Sequence, residues 1–295
     1  MKTPRISIEQ WRTLQAVVDH GGFAQAAEKL HRSQSSISYT VAKLQEQLAM
    51  PIFKIKGRKA QLTQAGEALL RRSRQLLQQA QELENFAHSL EQGWEAQVNL
   101  VVDTAFPTDK LMHALRRFEP VSRGCRVQLR EVVLSGAEDA LEEGGADLAI
   151  CAHVPPRFLG EPLLEIDFIA VSHPQHPLQH LKREVTVSDL EGQLQVVIQD
   201  SGLRHSKNIG WLGAEHRWSV SSVETAVAAV SEGLGYAWLP KHRIAAMLTN
   251  DLLQPLPLEQ GGCYKAALYI VHGRDQKSGP GTQLLAKLLQ QEVLT

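Results

Sequence analysis

Phe23-Ala24-Gln25-Ala26-Ala27-Glu28-Lys29-Leu30-His31-Arg32-Ser33-Gln34-Ser35-Ser36-Ile37-Ser38, continued by Tyr39-Thr40-Val41-Ala42-Lys43-Leu44-Gln45-Glu46-Gln47-Leu48, decides the fold of the first part of the chain. A short helix is expected from Ala24 to Leu30, with Phe23, Ala26, Ala27 and Leu30 turned to a core. His31-Arg32 makes a tight turn, and Ser33 caps a third helix running to Leu48. In that helix Ile37, Val41, Leu44 and Leu48 are spaced four, three and four, which at 100° per residue gives one inward stripe. The opposite side carries Ser35, Tyr39, Ala42 and Lys43, flanked by Ser36 and Ser38, with Gln34 at the N-terminal end. This small, hydroxyl-rich face suits close approach to a major groove, with donors for phosphates or base edges. The helix N-terminus adds free N–H groups for phosphate.

Upstream, Ser7 and Gln10 fit a capping box. Ile8, Trp11, Leu14, Val17 and Val18 then recur at helical spacing until Gly21-Gly22 ends the helix. Downstream, Pro51-Ile52-Phe53-Lys54-Ile55-Lys56-Gly57-Arg58-Lys59-Ala60-Gln61-Leu62 alternates apolar residues around a Lys-Gly-Arg-Lys tip, the pattern of a β-hairpin. Such a wing lies over the sugar-phosphate backbone, where Lys54, Lys56, Arg58 and Lys59 would release counterions. Charge agrees: residues 1–66 hold ten Lys/Arg and four Asp/Glu, a balance of +6, within a chain of net charge −1. A basic head on a mildly acidic body is the layout of a domain that meets a polyanion. A three-helix protein-interaction domain with a serine-rich face is the competing reading, and it leaves the basic hairpin tip unexplained.

The stretch Phe23 to Ser38 closely resembles the DNA-binding head of LysR-type transcriptional regulators, and Leu62-Thr63-Gln64-Ala65-Gly66 resembles the start of that family's linker helix. The resemblance covers the whole chain, weakly after residue 95. It departs at Gly22 (usually Ser), Ser35 (usually Pro), Tyr39 (usually Arg), Ala49 (usually Gly) and Ile55, where Leu-Phe-x-Arg becomes Ile52-Phe53-Lys54-Ile55. Base preference therefore does not transfer, because tyrosine for arginine replaces a guanine reader by a ring suited to thymine methyls or phosphate.

From Thr63 to Gly93 there is no proline, and Gly66 is the only interior glycine. Leu69, Leu76, Leu83 and Leu90 sit seven apart, with Ser73, Ala80, Ala87 and Trp94 four residues after each, a heptad seam. A dimerisation helix is expected, pairing two heads on two half-sites. A helix packed on its own body is the alternative.

After Ala96 strand and helix patterns alternate, arguing for a parallel sheet with helices. Strands are expected over 98–102, 126–133, 146–151, 167–171, 195–198, 235–239 and 264–272, and helices over 110–119, 138–143 and 222–232. This resembles the LysR effector domain, with two Rossmann-like lobes of the periplasmic-binding-protein type. Its landmarks are Gly144-Gly145-Ala146-Asp147-Leu148-Ala149-Ile150 and Glu232-Gly233-Leu234-Gly235-Tyr236-Ala237-Trp238-Leu239-Pro240. The resemblance implies a head at 1–63, a linker helix at 64–93 and an effector domain at 94–295. Lobe one would be 95–166 with 270–295, and lobe two 167–269. Ligands of open α/β sheets sit at strand C-termini, so Thr104, Phe106, Thr108 and Ser135 in lobe one and Ser201, Ser222 and Thr225 in lobe two are the candidate effector contacts. Hydroxyls beside helix N–H groups would suit an anion, with Arg204 or Lys207 to neutralise it. Each alone is also an ordinary cap.

The 295 residues fit about two domains at roughly 150 residues each, and 43% hydrophobic with 21% charged residues is ordinary for soluble globular chains. No apolar run approaches the roughly 18 residues of a membrane span, and the N-terminus lacks a signal peptide's apolar stretch. Cys125, Cys151 and Cys263 are odd in number and far apart, which suits a reducing cytoplasm. No dinucleotide, P-loop, zinc-protease or nucleophile-elbow motif is present, and prolines between His173, His176 and His180 disfavour a metal site. No catalytic residue, metal or cofactor is expected. The expectation is a cytoplasmic regulator, a homodimer or dimer of dimers, with promoter DNA, a small effector and RNA polymerase as partners. An effector-independent architectural DNA-binding protein is the main alternative, and an enzyme with an appended DNA-binding head the remoter one.

Overall fold

A computed structural model describes residues 3–56, 59–204, 211–273 and 278–294, without the side chains of 55, 56 and 59. The described chain divides into two compact units, residues 1–89 and 90–295.

The first unit contains α1 (Ile8–Asp19), α2 (Phe23–Lys29), α3 (Gln34–Leu48), the strands β1 (Phe53–Lys56) and β2 (Lys59–Leu62), and the start of α4 (Gln64–Glu91). Ser7 closes its capping box with Gln10, as the sequence predicts. The first two helices start and stop within a residue or two of expectation, and α3 matches it. Ile8, counted in the apolar series of α1, is 46% exposed and takes no part in the core. Ile37, Val41 and Leu44 are buried, and Leu48 is half-buried against Leu14, Ile52 and Leu70. Two left-handed residues make the turns: His31 between α2 and α3, at φ 53°, and Ala49 after α3, at φ 54°. A Cβ in that region costs roughly 1 kcal/mol or more, which is why glycine suits the position Ala49 occupies.

The hairpin is antiparallel, pairing Phe53 with Leu62 and Lys56 with Lys59. Gln45 anchors it to α3, its Oε1 accepting from the N–H groups of Ile52 at 2.7 Å and Phe53 at 3.0 Å. Thr63 caps α4 by accepting from Gly66 N–H at 2.9 Å while its hydroxyl donates to Pro51 O. Any Cβ at Gly66 would strike the Ile52 carbonyl. The glycine thus lets α4 leave the hairpin at close quarters.

The second unit is built on one mixed sheet. Its strands are β3 (Gln97–Asp103), β4 (Arg126–Val132), β5 (Leu148–Cys151), β6 (Gly160–Ser172), β7 (Gln195–Ile198), β8 (Arg217–Val220), β9 (Tyr236–Pro240), β10 (Gln254–Pro255) and β11 (Cys263–His272). The helices are α5 (Thr108–Phe118), α6 (Gly136–Glu142), α7 (Val187–Glu191), α8 (Val223–Ser231), α9 (Ala245–Thr249) and α10 (Pro280–Leu294). The order is β4-β3-β5-β11-β6-β9-β7-β8, with β10 beside β6. Within each lobe the strands are parallel, β4-β3-β5 in one and β9-β7-β8 in the other. The sheet is not parallel throughout, as strand-helix alternation alone suggested. The long strands β6 and β11 run antiparallel to each other and join the two parallel sets.

The lobe cores are separate. One gathers Val98, Leu100, Val102, Phe106, Leu111, Ile150 and Leu285; the other gathers Ile169, Val171, Val196, Val227, Val230 and Leu239. β3 is buried along nearly its whole length, as a central parallel strand must be. Glu95 opens α10 by accepting from the N–H groups of Gly281 and Thr282. Burial works against its charge, yet these bonds hold the carboxyl below the usual range. Among the described residues, no helix is long and apolar enough to cross a membrane.

Candidate nucleic-acid interface and ligand cleft

The outer face of α3 follows from its inward stripe. Gln34, Ser35, Ser38, Tyr39, Ala42 and Lys43 are all exposed, Tyr39 to 68%. Ser33 and Ser36 do different work. Ser33 Oγ accepts the Ser36 N–H at 3.2 Å as the helix cap. Ser36 Oγ, half-buried, accepts from Arg32 Nη2 at 2.7 Å, and the same guanidinium reaches Glu9 at 3.0 Å. Arg32 thus ties α1 to the start of α3. Ser36, expected among the DNA contacts, thus also serves as an acceptor within that tie. Lys54 is exposed on the hairpin. Arg58 and the side chains of Lys56 and Lys59 lie outside the described residues.

Along α4, Leu69 is half-buried against the core of the head, whereas Leu76, Leu83 and Leu90 are 41%, 68% and 41% exposed. The apolar stripe is therefore uncovered over its distal part. Ion pairing of Arg74 with Asp19 ties the proximal part to α1.

The second unit contains a cleft of about 490 Å³ where the lobes face each other. Its walls come from the ends of β3 and β4 (Asp103, Thr104, Val133), from β7 (Gln195 to Ile198), and from the crossing strands β6 and β11 (Phe168, Tyr264 to Tyr269), with Trp211 and Trp238. Volumes of a few hundred Å³ suit one small organic molecule. Phe168 and Tyr264, directly paired across β6 and β11, stack at 4.9 Å between ring centroids with planes 4° apart. Trp211 and Trp238 lie 6.0 Å apart.

Of the residues expected to contact a ligand, Thr104 alone lines this cleft. Phe106 sits in the core of lobe one at 2% exposure, since its position after the strand turns it under the sheet. Thr108 accepts from Arg243 Nη1 at 2.7 Å. Ser222 caps α8, accepting the Thr225 N–H at 3.1 Å, and Thr225 lies on that exposed turn.

Ser135 and Ser201 are spent on holding the lobes together. Ser135 donates to Asp200 Oδ2 at 2.7 Å and its N–H donates to Oδ1 at 3.0 Å. Ser201 Oγ accepts the Val133 N–H at 2.9 Å and donates to the Val133 carbonyl at 3.1 Å. Asp139 Oδ2 accepts the N–H groups of Leu203 at 2.6 Å and Arg204 at 3.1 Å, and Arg204 pairs with Glu143 at 3.3 Å. A second seam is made by Arg243, which also donates to Thr104 O at 3.2 Å and pairs with Glu224 at 3.4 Å. Arg204 is therefore a clasp between lobes in this structure, and Lys207 lies outside the described residues. Asp139, Asp200, Gly202 and Arg243 are interlobe residues that sequence reasoning missed. The turn signal Asp200-Ser201-Gly202 after β7 marked the place but not the partner.

Asp103, at the end of β3, is 3% exposed and accepts from the N–H groups of Ala105 at 2.8 Å and Leu134 at 2.9 Å. Burial pushes its carboxyl up to about 6, against the pull of those two donors, and Asp200 adds to the push. The fold thus favours the protonated form. The resulting stabilisation is complete below the ordinary value of 3.8 and is lost as pH rises through about 6. Between pH 5 and 7.5 the loss is about 1–2 kcal/mol. Urea unfolding of full-length protein at both pH values should show this difference in the wild type and not in Asp103→Asn; equal pH dependence in the two would remove Asp103 as its source.

His173 and His176 serve turns. His173 Nδ1 accepts from Gln175 N–H at 3.1 Å, and His176 Nδ1 from Leu178 N–H at 3.3 Å. No metal-binding cluster occurs among the described residues. Burial, helped by the nearby Glu95 charge, pushes the Cys125 thiol up to about 11, so it stays protonated and unreactive.

Residues 8–67 match the family model described as the bacterial regulatory helix-turn-helix protein, lysR family, and residues 91–294 match the LysR substrate binding domain. The probable HTH-type transcriptional regulator YhaJ of Escherichia coli K12 is 30% identical over 247 residues, covering 81% of this chain and 82% of its own. The HTH-type transcriptional regulator PunR of the same strain is 28% identical over 249 residues, covering 83% and 80%. Among solved structures, full-length LysG of Corynebacterium glutamicum with bound effector Arg aligns with a TM-score of 0.54 at 18% identity, over 98% of both chains. CrgA of Neisseria meningitidis, described as a LysR-type transcriptional regulator, aligns with a TM-score of 0.54 at 19% identity over the full length of both. At these identities the structural likeness speaks for the fold.

Proposed function

The chain belongs to the LysR family of transcriptional regulators, and from that premise we propose how its own residues divide the work. Residues 1–63 form the head that enters promoter DNA, 64–93 the helix that pairs two chains, and 94–295 the body that answers a small molecule. The α3 face formed by Gln34, Ser35, Ser38, Tyr39 and Lys43 lies in the major groove, and Lys54 with its hairpin neighbours lies along the phosphates. The observation that carries this reading is the exposure of that polar face directly behind the buried Ile37-Val41-Leu44 stripe. Base-edge contacts specify, while hairpin contacts position.

Regulators of this family are not enzymes, and the cytoplasm is the compartment in which this one meets DNA. Two chains pair through the α4 stripe and assemble further into a dimer of dimers. A ligand held in the interlobe cleft acts by binding one lobe arrangement better than the other. The change reaches the heads as altered spacing, and so alters DNA bending and the access of RNA polymerase. The cleft of about 490 Å³ supports this over a purely architectural role.

Anisotropy titration of a labelled fragment of the gene's own upstream region tests the DNA assignment. Lys54→Ala should lower affinity for all duplexes alike and reduce the slope of log K against log salt by about one. An unchanged slope would take the hairpin away from the phosphates.

A further inference from the structure

The cleft is lined by five of the chain's sixteen aromatic side chains: Phe168, Trp211, Trp238, Tyr264 and Tyr269. Its described polar groups include the hydroxyls of Thr104, Tyr264 and Tyr269 besides two acceptors, on Gln195 and Asp103. Gln195, 3% exposed at the start of β7, spends its Nε2 on the Trp211 carbonyl at 2.7 Å, and its Oε1 is buried with no hydrogen-bond partner. Asp103 lines the wall on the opposite lobe, its two carboxyl oxygens accepting from the Ala105 and Leu134 N–H groups. Among the described residues, the basic side chains near the walls have these partners. Lys265 pairs with Glu165 at 3.0 Å, the His153 ring lies 3.8 Å from Glu138, and Arg243, which is outside the lining, gives its two Nη groups to Thr108, the Thr104 carbonyl and Glu224 while its Nε is buried without a partner. Trp238 gives its N–H to the Gly261 carbonyl at 2.9 Å.

A carboxylate or phosphate entering here would meet the Asp103 carboxyl and the Gln195 amide oxygen, with the Lys265 ammonium of the lining already paired with Glu165. A planar ring bearing an N–H would meet aromatic faces and an acceptor waiting for a proton. Buried acceptors left without donors carry the full desolvation penalty, which a ligand donor relieves. Sites of this kind discriminate strongly between ligands that do and do not supply the donor.

We propose that the effector is an aromatic or heteroaromatic molecule that carries a hydrogen-bond donor and no negative charge, held by the Phe168-Tyr264 stack and by the Gln195 side chain. This rests on reading the cleft as the effector site, and it replaces the anionic effector suggested by the hydroxyls at strand ends. Apart from Thr104, those hydroxyls close the lobes on each other or cap helices.

Isosteric pairs that differ only in donor and charge at one group make the test: nicotinamide against nicotinate, benzamide against benzoate, and indole-3-acetamide against indole-3-acetate. Each is titrated into full-length protein by calorimetry, with thermal shift as a second reading. The amide of each pair should bind at least tenfold tighter than its carboxylate. Tyr264→Ala, at a half-open position, should abolish that binding, and Gln195→Met should reduce the preference within the pair severalfold. Carboxylates binding as well as their partners, or an aliphatic acid binding more tightly than any ring, with either effect lost in Tyr264→Ala, would overturn the ligand class and leave the cleft as the effector site. Binding untouched by both substitutions would overturn the site as well. Failure of both series to bind at 10 mM would also overturn the ligand class.

Discussion

Leu76→Asp combined with Leu83→Asp should turn the protein into a monomer at micromolar concentration and weaken its binding to a two-half-site promoter fragment by at least a hundredfold. Both leucines lie on the α4 stripe and are 41% and 68% exposed in the single chain. Burying a leucine is worth about 1.5–3 kcal/mol, and each chain of a symmetric pair contributes its own copies. Two buried carboxylates per chain would reverse that gain and add desolvation. The loss at DNA is larger than the loss of contacts suggests, because a paired head binds its second half-site as an intramolecular event, an advantage of about 10²–10⁴. Helicity should survive, since both residues are solvent-facing and Asp costs well under 1 kcal/mol of helix propensity. Sedimentation and anisotropy together check this. A dimer that persists with unchanged promoter affinity would move the interface off α4.

The second large effect concerns the seam between lobes. Gly202→Val should hold the lobes apart and remove protection from hydrogen exchange at the Val133 and Ser135 amides by about ten- to a hundredfold. Those amides donate across the seam to Ser201 and Asp200, and any Cβ on Gly202 collides with Ser135. Overpacking of this kind costs about 1–3 kcal/mol, which is enough to shift a two-state equilibrium by that factor. Gly202 does not need left-handed backbone, so the opened form carries no local strain. Secondary structure and head function should be retained, while the response to a cleft ligand falls. Unchanged protection in a folded variant would show that the seam does not report lobe closure.

Much of the head was legible in the sequence because its signals are local. Ser7 and Ser33 announce helix starts, Gly21-Gly22 announces a stop, and the four-three-four spacing in α3 fixes which side is inward. The hairpin follows from apolar alternation around a basic tip. Ser36 escaped this logic: its sequence position puts it beside the outer face, but only the fold shows Arg32 reaching it. In the second unit, runs with strong apolar character such as β3 and β7 were readable. The five-residue helices α7 and α9, the two-residue strand β10 and the exposed edge strand β8 are set by tertiary contacts and leave little periodic trace. β6 extends seven residues earlier than its apolar core suggests, because Gly160 to Ile166 pair with β11.

The cleft was the least legible part. Hydroxyls at strand C-termini mark where lobes meet, yet the sequence does not say whether Ser135 turns to a ligand or to Asp200. The aromatic wall depends on register: Phe168 and Tyr264 are nearly a hundred residues apart and meet only because β6 and β11 pair at that position. Gln195 reads as an ordinary polar strand residue until its neighbours are known.

The central claim is that the α3 face reads bases. Wild type, Ser38→Ala and Tyr39→Ala can each be used to select duplexes from a random pool, and the bound fractions sequenced. The account predicts that each variant relaxes or changes the preference at one or two base pairs, each worth about 1–3 kcal/mol, while the salt dependence of binding stays as in the wild type. Identical preferred sequences for all three proteins, with affinity lowered evenly on every duplex, would contradict it.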